Sequence, residues 1–127
     1  VTHIYDEIIE EFNLSDMLNQ NGRELSGGQR RRVEIARCLV TKPKIILMDE
    51  PFAGIDPVAV DDIKKILNNL LSKEISILIT DHNVGAALAI CKRALILSEG
   101  KILAEGSTNE LINNSKVKEV YLGEMYS

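Results

Sequence analysis

Apolar residues in this chain recur with a helical period in some stretches and as short unbroken runs in others, and the two patterns alternate. Ile4, Ile8 and Phe12 stand at i, i+4 and i+8, which predicts a helix over residues 1–12. Ser15 is placed to cap a short turn carrying Met17 and Leu18. A polar connector, Asn19 to Glu24, leads into Leu25-Ser26-Gly27-Gly28-Gln29, after which Val33, Ala36, Leu39 and Val40 keep helical spacing until Lys42-Pro43 stops it. The run Ile45-Ile46-Leu47-Met48 then ends in Asp49-Glu50-Pro51, the pattern of a strand buried on both faces with acids at its carboxyl end. Asp56 suits a helix cap and Pro57 the first helical position, ahead of an apolar stripe of Ile63, Ile66, Leu67, Leu70 and Leu71.

Ile75 to Thr80 predicts a second buried strand, ending in Asp81-His82, and Val84 to Cys91 a short helix. Ala94 to Ser98 reads as a third strand that turns at Glu99-Gly100 into Lys101 to Glu105, a hairpin. Ser107 and Glu110 form a capping box for a helix through Leu111 and Ile112, and a last helical stretch leads to Tyr121-Leu122-Gly123. Alternating strands and helices predict an α/β chain with a mostly parallel sheet, whose ligands bind at the carboxyl ends of the strands. Asp49, Glu50, Asp81 and His82 fall at those ends.

Composition narrows the reading. With 127 residues, 45% of them apolar and 27% charged, the chain fits one soluble globular unit. No apolar run approaches the roughly 18–20 residues of a membrane span, and Asp6, Glu7, Glu10 and Glu11 stand where an export signal would be basic and then apolar, so a cytosolic location is expected. Cys38 and Cys91 lie far apart with no C-x-x-C pair, which predicts two reduced core thiols. Residues 23–44 hold seven Lys or Arg against Glu24 and Glu34, a balance of 7 − 2 = +5 within a chain of net charge −4. An anionic ligand near that segment follows. Nucleic acid does not, because Arg30, Arg31 and Arg32 occupy consecutive helical positions that point about 100° apart, and few aromatic residues are available for stacking.

Ser26-Gly27-Gly28-Gln29 offers a hydroxyl, two residues without side-chain bulk and the N–H groups of a helix start, the materials of a phosphate cradle, though Gly27-Gly28 taken alone better fits a flexible loop before a helix. An apolar strand ending in Asp49-Glu50 suits a Mg²⁺-supporting aspartate followed by a water-activating glutamate, and it is also an ordinary strand exit. His82 after a strand could donate to a phosphate oxygen or be a plain loop residue.

Taken in order, Leu25 to Gln29, Ile45 to Glu50, Ala53-Gly54-Ile55-Asp56 and Asp81-His82 resemble the signature, Walker B, D-loop and switch-histidine motifs of ATP-binding-cassette (ABC) ATPases, over essentially the whole chain. The resemblance implies an incomplete P-loop NTPase sheet with flanking helices, residues 1–24 ending a helical subdomain and residues 25–127 belonging to the ATPase core. Arg30 to Arg37, Asp49 to Pro57, Thr80 to Val84 and Val120 to Glu124 look most like the ATPases of lipopolysaccharide export, Asp81-His82-Asn83 above all. Gln29 departs from the glutamate usual in that group, and the branched-chain amino-acid importers are the nearest alternative. Carried over residue by residue, Ser26, Gly27, Gly28 and Gln29 would contact the γ-phosphate of a nucleotide held by the opposite subunit. Asp49 would support Mg²⁺ through water, Glu50 would be the catalytic carboxylate, Asp56 would communicate across the dimer, and His82 would be the switch histidine. ATP, Mg²⁺, a second copy of the ATPase and a membrane-spanning permease pair are the implied cofactors and partners, with the protein peripheral on the cytoplasmic face of the inner membrane.

No G-x-x-x-x-G-K-[ST] occurs in the chain, because Gly100-Lys101 has Leu95 where the first glycine should be and Ile102 where Ser or Thr should follow. The phosphate loop and glutamine loop of the family would precede Val1 in a complete member. The strand of that loop lies, in the family, between those resembling Ile75–Thr80 and Ala94–Ser98, so the sheet is expected to be split and its edges aggregation-prone. The 127 residues alone are expected to be inactive. A second reading, a non-catalytic remnant that offers its signature loop to a full ATPase, remains beside the first.

Overall fold

The computed structural model describes residues 2–122; Val1 and residues 123–127 lie outside the described residues, and with them Gly123 and Glu124 of the expected carboxyl-terminal stretch. Two compact units divide the chain, residues 1–80 and residues 81–127.

In the first unit, α1 (Thr2–Glu11) leads through two short 3-10 turns to α2 (Gly27–Leu39), then β1 (Ile45–Asp49), α3 (Pro57–Ser72) and β2 (Ser76–Thr80). α2 and α3 begin where their residues supply a partner for otherwise orphaned N–H groups. Ser26 caps α2, and Asp56 caps α3 ahead of Pro57. The stripe on α3 closes the core, with Ile63, Leu67 and Leu70 at 1% exposure or less; each fully buried side chain of this size contributes about 1.5–3 kcal/mol. Ile8, Phe12 and Met17 are buried as well, although Ser15 begins its 3-10 turn and makes no side-chain cap.

β1 and β2 pair in parallel, Ile45 with Ser76 through Asp49 with Thr80. Neither strand is buried on both faces. Ile46 is buried, and Met48, Ile77 and Ile79 are partly so, while Ile45, Leu47 and Leu78 are 64%, 73% and 63% exposed. The α3 crossover covers one face of the pair, and among the described residues no element covers the other.

The second unit contains α4 (Val84–Ile90), the antiparallel strands β3 (Arg93–Ser98) and β4 (Lys101–Ser107), α5 (Thr108–Ile112) and α6 (Ser115–Val117), which continues as a wider turn to Leu122. Its core joins Leu88, Ile96, Leu111 and Val117. Ser107 and Glu110 form the expected capping box. Tyr121 donates its hydroxyl to the Leu97 carbonyl at 2.6 Å, fastening the carboxyl-terminal turn to β3. Leu95, Leu97 and Ile102 are exposed.

The four described strands thus form two separate ladders, one parallel and one antiparallel, in place of a mostly parallel sheet. That is the split expected when a central strand is not supplied. No helix among the described residues is long and apolar enough to cross a membrane. Both cysteines are free thiols, but Cys38 is exposed, so only the half-buried Cys91 meets the expectation of a core position, and burial pushes its thiol pKa up.

Candidate functional site

Ser26 enters α2 in an extended conformation, its Oγ accepting from the Gln29 N–H at 3.2 Å while Gln29 Oε1 accepts from the Ser26 N–H at 3.0 Å. Glutamine therefore completes the box as glutamate would. The two side chains thus satisfy the Ser26 and Gln29 N–H groups, and Gly27 and Gly28 occupy the first helical positions, where N–H groups point away from the helix at its positive end.

The glycines have a second reason to be there. A Cβ on Gly27 would stand 2.9 Å from the Gly54 carbonyl oxygen, and one on Gly28 would stand 2.7 Å from the Ala59 Cβ. The start of α2 thus rests directly on the loop and first turn of α3. Asp56 caps that turn by accepting from the Ala59 N–H at 2.8 Å. Two capped helix starts lie side by side and open onto a cleft of about 410 Å³ lined by Ser26, Gly28, Gln29, Arg32, Asp56 and Pro57 among others. Sequence spacing gave no hint of this contact, since Gly28 and Ala59 belong to different helices.

Asp49 and Glu50 end β1. Thr80 donates its hydroxyl to Asp49 Oδ1 at 2.5 Å, and the Glu50 N–H donates to the Thr80 carbonyl at 2.7 Å, so the end of β2 holds both acids in place. Glu50 adopts φ +51°, a left-handed conformation uncommon for a residue with a side chain. Such a conformation persists where surrounding contacts over-determine it. Among the described residues no group of three or more His, Cys, Asp or Glu side chains could hold a metal ion. One strand-end carboxylate fits a Mg²⁺ whose remaining ligands are phosphate and water, the usual preference of that ion.

His82 belongs to the second unit. Its side chain is 72% exposed, with Nδ1 4.0 Å from a carboxylate oxygen of Asp81, whose own side chain is buried. Asp81 also accepts from the Asn83 N–H at 2.8 Å, and Asn83 caps α4 by accepting from the Ala86 N–H at 3.1 Å. Asp81 and Asn83 are therefore fixed parts of the turn carrying the histidine. Phe52 is 4% exposed and packs in the core of the first unit. Arg30, Arg31 and Arg32 line three different clefts, as their helical positions require.

A capped glycine helix start packed on the segment ahead of α3, in the same unit as a strand ending in paired acids, resembles the corresponding part of the ABC-transporter ATPases, and the ABC transporter family matches residues 2–53. The chain is 54% identical over 121 residues to the lipopolysaccharide export system ATP-binding protein LptB of Haemophilus influenzae, covering 95% of this chain and 50% of that protein. The protein of the same name from Escherichia coli K12 is 51% identical over 119 residues, covering 94% of this chain and 49% of that one. A nucleotide-free ATP-binding cassette from an ABC transporter superposes with a TM-score of 0.83 at 36% identity, covering 96% of this chain and 50% of that one. The ADP conformation of another such cassette gives 0.80 at 38% identity, covering 93% and 48%. The chain spans about half the length of the curated relatives it matches.

Proposed function

We propose that these residues are the carboxyl-terminal half of an ABC ATPase that drives lipopolysaccharide export, residues 1–24 ending its helical subdomain and residues 25–127 completing its core. The observation that carries this is the packing of the Ser26–Gln29 helix start against the Gly54–Ala59 segment, with Asp49 and Glu50 at the end of the strand between them in sequence. The complete ATPase works as a homodimer bound to membrane-spanning permease subunits, on the cytoplasmic face of the inner membrane.

Within that dimer the Gly27 and Gly28 N–H groups and the Ser26 hydroxyl meet the γ-phosphate of an ATP bound by the other subunit, where a helix start favours anionic oxygens. Gln29 keeps the loop in its capped form. Asp49 would hold Mg²⁺ through water, and that ion would supply neutralisation of the phosphate charge. Glu50 accepts a proton from the attacking water. His82 donates to a γ-phosphate oxygen and orients that water, and Asp56 relays the state of one site to the other.

The test uses the complete ATPase. Glu50→Gln should bind ATP normally and lose turnover by about a thousandfold, since the proton acceptor is gone while Asp49 remains. Undiminished hydrolysis would remove Glu50 from the role. Ser26→Arg should abolish ATP-driven dimerisation by filling the phosphate niche, and normal dimerisation would overturn the signature assignment.

A further inference from the structure

Glu50 and Gly54 both have left-handed backbones, φ +51° and +70°, and the residues between them form a tight turn in which the Ala53 N–H donates to the Glu50 carbonyl at 3.1 Å. Pro51 and Phe52 are buried beneath it. The Glu50 N–H is held by Thr80 at the end of β2, and the Ala53 carbonyl accepts from Arg31 Nη2 at 3.4 Å. Arg31 lies one turn into α2, the helix whose first residues are the phosphate-cradle glycines. Its Nη1 meets Glu34 Oε2 at 3.2 Å, so both terminal nitrogens are engaged, and the side chain is only 26% exposed. The Nε is buried with no hydrogen-bond partner among the described residues, a cost that an arginine swung into water would avoid. The guanidinium is thus held inward against that cost, on the turn carrying Glu50.

We propose that Arg31 is a positioning residue for hydrolysis: it ties α2 to the turn 50–54 through the Ala53 carbonyl, so that the Glu50 carboxylate and the glycines of the same subunit keep a fixed separation. This rests on the function proposed above. Arg31 acts through the turn carrying Glu50, and Glu34 holds its guanidinium where it reaches the Ala53 carbonyl. A planar fork with several donors suits two simultaneous contacts, and a lysine supplies a single point charge that can keep one of them.

The test measures, in the complete ATPase, hydrogen–deuterium exchange of the segment 50–56 together with kcat and the KM for ATP. Arg31→Ala should speed exchange in that segment alone and lower kcat about tenfold, with KM within about twofold, because ground-state binding is untouched while the carboxylate is misplaced. Arg31→Lys should recover much of both. Arg30→Ala, an exposed neighbour on α2, should leave both unchanged. Unchanged exchange in Arg31→Ala overturns the proposal. So does faster exchange spread through residues 2–80 with no recovery by lysine, which is the mark of general destabilisation, and so does an equal loss in Arg30→Ala, the mark of lost charge alone. A fully active Glu50→Gln variant would break the functional assignment of Glu50, and the exchange measurement would still decide the role of Arg31.

Discussion

The two units solve the same problem, a short strand pair with helices, in opposite ways. In residues 81–122 the strands are neighbours in sequence, joined at Glu99-Gly100 with both residues in the left-handed region, and the core of Leu88, Ile96, Leu111 and Val117 gathers elements close along the chain. In the first unit β1 and β2 pair only across the whole of α3, and most of what resembles a nucleotide site lies there. Local pairing stabilises a fold cheaply, whereas parallel pairing through a crossover leaves the strand ends open for chemistry. The outer face of β1 and β2 shows the consequence. Asp49 and Thr80 share it with Leu47 and Leu78, so the face that presents the acid is also the uncovered one.

Four measurements sharpen or break this contrast. The largest effect concerns chemistry. Replacing His82, the second unit's candidate, with alanine should slow hydrolysis by the complete ATPase about a hundredfold, the usual cost of losing a transition-state donor. A rate within error of wild type would confine the chemistry to the first unit.

Next come the two cores. Leu67→Ala and Leu111→Ala remove side chains at 0% and 1% exposure, and each should cost about 2–5 kcal/mol in urea unfolding. Hydrogen exchange should rise within residues 2–80 for the first and within 81–122 for the second. Equal rises in both units for either variant would show one cooperative core and erase the distinction.

A smaller effect is expected where the two helix starts touch. Gly28→Ala places a methyl 2.7 Å from the Ala59 Cβ, and such overpacking costs about 1–3 kcal/mol. Ala59→Gly in the same chain should restore much of the loss, and failure to do so would show that Gly28 is not set by that contact.

The smallest contrast lies in the thiols. At mildly alkaline pH, Cys38, exposed in the first unit, should be alkylated several-fold faster than Cys91, because the reacting species is the thiolate and burial pushes the Cys91 thiol pKa up. With its folded pKa raised, Cys91 contributes stability that is fully present below the ordinary thiol pKa and lost as pH rises through the folded one. Equal labelling rates would contradict the half-buried setting.

Much of this was legible in the residues themselves. Asp56 ahead of Pro57, and Ser107 with Glu110, each announce a helix start, because a cap reaches an N–H three residues on and needs no tertiary partner, whereas the same pairing of Ser26 with Gln29 reads along the sequence only as a loop feeding a helix. The order of strands and helices followed from hydrophobic period in the same way. Burial did not follow. Ile45-Ile46-Leu47-Met48 reads as buried on both faces, yet alternate residues are exposed, since an apolar run records what a strand is suited to and not what covers it.

Local rules, then, can be read straight from the residues: caps, periods, and the run of motifs that resembles a cassette ATPase. Folding in three dimensions adds that Gly27 and Gly28 must be bare because Gly54 and Ala59 press against them, that Arg31 reaches the Ala53 carbonyl, and that Thr80 holds both Asp49 and Glu50. Those contacts join residues far apart in the chain. Their geometry is set by how α3 folds back between the two strands, and no pattern of neighbouring residues encodes it.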